Sequence, residues 1–147
     1  MTKVKIVDSP DGWGRFRPGK NEHIIEMPVG LPDWRYQVLL SHEMHHAKQF
    51  NHIYSKERKK SKGFLPCFKS DPFKKAKKEY YSRLVEFAAY GAGLRKMQEV
   101  KPEMVESELY RYAKSLKEDS PYQGYRKYSY VEIRHMIEDR WANGDLF

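Results

Sequence analysis

Residues 42 to 46 read His-Glu-Met-His-His, the pattern H-E-x-x-H, and this spacing brings its side chains together only on a helix. Four residues along an α-helix is about 40° around the axis and roughly 6 Å along it, so His42 and His46 aim at one point while Glu43 stands beside it. Two neutral imidazoles and one carboxylate leave a net positive site with an open position, as a catalytic zinc needs and a structural zinc does not. A glutamate next to such an ion suits a base that takes a proton from metal-activated water while the ion polarises the carbonyl under attack. A shuffled chain of this composition carries the pattern about 2% of the time, so its surroundings matter. The bland alternative is three polar helix histidines, His42, His45 and His46, with no metal.

The surroundings favour a helix. Pro28-Val-Gly-Leu-Pro32 breaks the chain, Asp33 is a candidate cap, and Val38, Leu39, His42, His46 and Phe50 recur at helical spacing, which predicts a helix from Trp34 to about Phe50. Before it, Val4 and Ile6 alternate with lysines, and Trp13 to Arg17 and His23 to Met27 are short β-prone runs between turn-formers; a small antiparallel sheet is the simplest account. After it, Ser55 to Ser70 is basic, punctuated by Gly63 and Pro66 with Phe64, Leu65 and Phe68 as apolar anchors, and reads as a loop over about 55–70. Asp71-Pro72 should cap a long helix from Phe73 to about Gln98, with Tyr80, Leu84, Phe87 and Leu94 on its buried face. A third helix starts at Pro102. Ser129 and Glu132 form a capping box for a last helix through Trp141, ended by Asn143-Gly144.

At 147 residues the chain is expected to form one domain, 1–147, and with 39% apolar and 14% aromatic residues it is too rich in core material to be disordered. No run nears the roughly 18 apolar residues of a membrane span, and the start lacks a secretory apolar segment, so no membrane partner and a cytoplasmic location are expected. The single cysteine, Cys67, excludes an internal disulfide framework and CxxC zinc sites, leaving metal binding to histidines and carboxylates. The net charge of +8 is concentrated: residues 56 to 78 hold ten Lys/Arg against Glu57 and Asp71. This segment has two readings, a solvated loop or a phosphate-binding patch, with Lys59, Lys60, Lys74 and Lys75 as candidate nucleic-acid contacts.

Leu40-Ser-His-Glu-Met-His-His-Ala-Lys-Gln49 and Arg83-Leu-Val-Glu-Phe-Ala-Ala-Tyr90 resemble the H-E-x-x-H zincins, in particular small gluzincin-like peptidases of bacterial and phage type. The resemblance covers roughly residues 22 to 92. It implies an α+β, zincin-like fold, one Zn2+ per chain, a protein or peptide substrate, and a second helix whose Glu, in a pattern like E-x-x-A, is the third ligand. Glu86 fills that position. It also implies a substrate strand laid on a sheet edge, for which His23 to Met27 is the candidate. Larger thermolysin-like enzymes carry Asp four residues after the ligand Glu; here that residue is Tyr90, a departure that leaves the support around the ligands open.

Alternatives remain at the third ligand. His52 lies six residues after His46, the metzincin spacing, but Gln49 stands where that pattern has the glycine that lets the helix turn back. Arg83, one turn before Glu86, would make it a plain ion pair instead. His135 and Tyr90, with the tyrosines from Tyr122 to Tyr130, are candidates for an oxyanion donor or substrate contact, against a plain packing role. The expectation is therefore a zinc peptidase with Glu43 as general base. The competing expectation is a metal-containing binding module that docks nucleic acid or an acidic protein through 56–78.

Overall fold

The computed structural model describes residues 2–62, 71–121 and 123–147. The chain is α+β: strands β1 (Lys3–Asp8), β2 (Arg15–Arg17) and β3 (Glu22–Met27) precede helices α1 (Asp33–Ser61), α2 (Pro72–Ser82), α3 (Glu86–Val100), α4 (Val105–Lys114) and α5 (Tyr130–Asn143).

The sheet is mixed and not antiparallel as expected. Its order is β1-β3-β2, with β3 parallel to β1 and antiparallel to β2. The β1–β3 connection carries β2 past β3, and the Asp11 carboxylate compacts it by accepting from Ser9, the Trp13 backbone and Arg15. His23 to Met27 is therefore the central strand, and its buried His23, Ile25 and Met27 suit that place. The free edge beside α1 belongs to β2. Gly14, just before it, comes so close to α1 that a Cβ would lie 2.9 Å from the Leu39 side chain.

Helix α1 runs eleven residues beyond the expected end at Phe50. The buried stripe of His46, Phe50, Ile53 and Glu57 continues past Phe50, and no Gly or Pro interrupts the helix before Gly63. The basic stretch is thus helical through Ser61, with a turn at Lys62; residues 63–70, with Gly63, Phe64, Leu65, Pro66, Cys67 and Phe68, lie outside the described residues, as does Tyr122. Pro32 precedes the helix, and Asp33 lies in its first turn, accepting from Gln37. Asp71 caps α2 as expected, its Oδ1 accepting from the Phe73 N–H at 3.0 Å.

The long helix expected from Phe73 to Gln98 is two helices. Arg83 is extended, with φ −92° and ψ 155°, and α3 begins at Glu86. Nothing local forces this break. Tertiary groups satisfy it: the Val85 carbonyl accepts from Gln49, and the Glu86 N–H donates to the Tyr125 hydroxyl. A single 3-10 turn, Pro102–Met104, opens α4, and the Ser129/Glu132 capping box and left-handed Gly144 bound α5.

Two apolar clusters hold these elements. The larger joins Val38 of α1 to Phe87, Leu94, Leu109, Tyr112, Ile133 and Ile137; the smaller joins Phe50, Ile53, Ala76, Tyr80 and Val85. No helix among the described residues is long and apolar enough to cross a membrane. Helices α3 and α5 touch backbone to backbone at Gly91, where a Cβ would lie 2.8 Å from the Trp141 nitrogen. Gly91→Ala should therefore destabilise by about 1–3 kcal/mol despite a gain of about 1 kcal/mol in helix propensity. A urea midpoint that stays put or rises would show that the two helices have room between them.

Candidate metal centre

Helix α1 presents His42 and His46 one turn apart, both buried, and α3 brings Glu86 across from them. His46 Nε2 lies 2.6 Å from one Glu86 oxygen, His42 Nε2 lies 3.4 Å from the other, and the two Nε2 atoms are 3.2 Å apart. One ligand atom from each of the three residues falls within 4.8 Å of the others. Arg83, the competing partner for Glu86, instead pairs with Glu79 at 2.6 Å.

The electrostatics call for a cation. Burial works against a charged His46, but the Glu86 carboxylate, with Glu43 and Gln49, outweighs it and raises the His46 pKa to about 9. Burial likewise opposes ionisation of Glu86, and His46 and His42 overcome it, holding that carboxyl far below the usual range. Two imidazole nitrogens and a carboxylate oxygen gathered around one point are lone pairs that repel unless something positive lies between them. Protons or a metal ion can supply that charge, and the donor set, two nitrogens and one carboxylate, suits a divalent ion with positions left open.

Glu43 is buried beside this cluster and is not one of the three residues that converge. Burial raises its pKa, against the pull of His42 and His46. Two cavities, of about 450 and 370 Å³, meet here: His42, Glu43, Glu86 and Tyr90 line both. Trp13, Phe16, Tyr80 and Tyr81 wall the first; Leu31, Trp34, Leu39 and Met97 wall the second. Tyr90 lies with its ring 4.6 Å from that of His42 and stacks on Tyr112 at 4.2 Å. Burial, with Glu86 and Tyr112 nearby, pushes its phenol pKa well up, so it stays a hydrogen-bond donor.

The other sequence candidates lie elsewhere. His52 is exposed on the unbroken α1, its ring 5.9 Å from that of Phe147; without a reversal of the chain after Phe50 it cannot turn back to His46. His135 is exposed on α5 and lines neither cavity. His45 bonds the Leu146 carbonyl at 2.9 Å. Lys59, Lys60, Lys74 and Lys75 are exposed on α1 and α2.

Three residues escaped sequence reasoning. Gln49 bonds His46 Nδ1 through its Oε1 at 3.0 Å; its only signal was a polar residue one turn beyond a ligand, on the buried face. Tyr125 takes the Glu86 N–H at 2.8 Å and could not be told from other packed tyrosines. Asn51 holds His23 Nε2 at 2.7 Å and ties β3 to α1. No protein-family model, curated protein or solved structure matches the chain.

Proposed function

We propose that the chain is a zinc-dependent peptidase of the zincin type. The observation that carries this reading is the convergence of His42, His46 and Glu86 with a buried carboxylate, Glu43, beside them and outside the ligand set. His42, His46 and Glu86 would hold the ion. When bound, zinc supplies Lewis acidity, polarising a carbonyl and making water acidic enough to attack near neutral pH.

The chain's own groups account for the rest. Glu43, its pKa raised by burial, takes the proton from the attacking water as oxygen bonds the carbonyl carbon, and delivers it to the amine nitrogen as the C–N bond breaks. Tyr90, held protonated, offers its hydroxyl to the oxygen on which charge develops. The free edge of β2 offers backbone groups to an extended peptide, whose side chains then enter the two cavities.

A second reading rests on a separate observation. Among the described residues, nine Lys and Arg from Lys56 to Lys78 are exposed on α1, just beyond it and on α2, while the carboxylates near them are engaged: Glu57 by Lys60, Asp71 by Lys20 and Glu79 by Arg83. This face suits the phosphates of a nucleic acid, and it is compatible with peptidase activity as well as with a pure binding module.

Purified protein is expected to carry about one zinc per chain by mass spectrometry of the metal. Glu86→Ala should weaken zinc by on the order of a hundredfold or more in chelator competition, and His52→Ala should leave it unchanged. Metal-free protein from an untreated preparation sinks the peptidase reading. Glu43→Gln should retain zinc and fold while kcat drops by on the order of 10²–10⁴, and undiminished turnover would show that another group is the base. For the basic face, duplex DNA should bind with an affinity that falls steeply with salt. Replacing Lys59, Lys60, Lys74 and Lys75 with Gln should flatten the log–log salt slope by about 0.9 for each phosphate no longer neutralised, and an unchanged slope excludes this face.

A further inference from the structure

The orientation of His46 can be followed, bond by bond, to a segment 100 residues away in sequence. Gln49 is the middle link and is fully buried. Its Nε2 donates to the Val85 carbonyl at 3.1 Å and to the Leu146 carbonyl at 2.8 Å. Only the amide nitrogen can face two carbonyls, so Oε1 is the atom that meets His46 Nδ1. Nδ1 is thereby fixed as a donor, so Nε2, which faces Glu86 and His42, is the atom left to offer its lone pair once an ion takes the place of its proton. The Leu146 carbonyl also bonds His45 Nε2 at 2.9 Å. Beyond it the Phe147 ring lies under the Arg83 guanidinium at 4.4 Å, and before it Arg95 donates to the Trp141 and Ala142 carbonyls around the turn at Gly144.

We propose that the segment Asp145–Phe147, acting through Gln49, is a clamp that positions the ligand His46, so that docking of this segment sets the metal affinity. The inference rests on the reading of the cluster as a zinc centre. Partners that fix the tautomer and ring plane of a ligating histidine raise affinity without touching the ion. Gln49 does this for His46 and depends on Leu146 for half of its own anchoring. A buried amide with a purely packing role would affect stability alone; a positioning amide affects the ion.

The test compares the full chain with Gln49→Leu, with deletion of Leu146 and Phe147, and with Leu146→Ala, which keeps the carbonyl. Zinc affinity is read by competition with a fluorescent chelator, and the His46 ring by long-range ¹⁵N–¹H correlation in the zinc-loaded protein. Gln49→Leu should weaken zinc by about 10–100-fold and the deletion by about tenfold, while Leu146→Ala leaves it unchanged. The native spectrum should show a protonated Nδ1, and that pattern should broaden or shift in the first two variants. Zinc affinities within about twofold of native for the deletion overturn the clamp, and the deletion decides alone if Gln49→Leu does not fold. A native chain that binds no zinc removes both the centre and the clamp; one that binds zinc equally well without residues 146 and 147 removes the clamp only.

Discussion

A carboxylate buried against two imidazoles is the constraint on which the rest of this structure depends. Glu86 is largely withdrawn from water, and a charge so placed is costly unless positive partners meet it. His42 and His46 meet it only if α3 begins where it does. The break at Arg83–Val85 puts Glu86 in the first turn of α3, where the helix dipole favours an anion and where its own N–H is free to be taken by Tyr125. The same crossing needs α1 and α3 close together, and they are: a Cβ built at Gly93 would touch Val38 at 3.6 Å and His42 at 3.9 Å, ordinary van der Waals contact. A continuous helix from Phe73 onward would place Glu86 by the periodicity of α2 and lose this register.

The two apolar clusters give the constraint its rigidity. Val38 and Phe87 fasten the His42 side to the α3–α4–α5 cluster, while Phe50 and Val85 fasten the His46 side to the packing of α2. The site lies between two cores and is not carried on a loop, so its side chains are held by elements whose positions packing already fixes. Phe16 of β2 reaches into the smaller cluster and packs near His46, Phe50 and Tyr80, which sets the sheet edge against the cavity. Sheet, α1 and α3 thus share one network, and the small sheet is better understood as a wall of the site than as a separate layer.

What could be read from the sequence was what local chemistry encodes. His42, Glu43 and His46 carry their geometry in their spacing, and Asp71-Pro72, Ser129/Glu132 and Gly144 carry theirs in capping chemistry. Glu86 could be placed by resemblance, and Arg83 was then its rival only because sequence alone does not say which way an arginine turns. What could not be read depended on groups distant in the chain. The parallel pairing of β1 with β3 has no signature in runs this short. The helix break at Arg83 to Val85 contains no Gly or Pro and exists because Gln49 and Tyr125 satisfy the exposed backbone. The extent of α1 is a different case: the lysines past Ser55 suggest a loop, although Ile53 and Glu57 continue the buried stripe for two more turns.

The charge balance of the cluster ties folding to what occupies it. In the metal-free chain a proton on His46 answers Glu86. Because the folded pKa of about 9 lies above the ordinary 6.5, that contribution is complete below pH 6.5 and disappears as pH rises through 9. The Glu86 side has the opposite sign: its folded pKa is depressed, so its contribution is complete above the ordinary carboxylate value of 4.5 and is lost as pH falls toward the lowered one. A divalent ion answers the same carboxylate without a titrating proton, so binding it must displace that proton and extend the stable range upward in pH. An ion at a thousand times its dissociation constant adds about 4 kcal/mol, comparable to the whole margin of many small domains. The empty cluster thus ties stability to a titrating proton on His46, whereas an ion held by the same three residues would free it from that pH dependence.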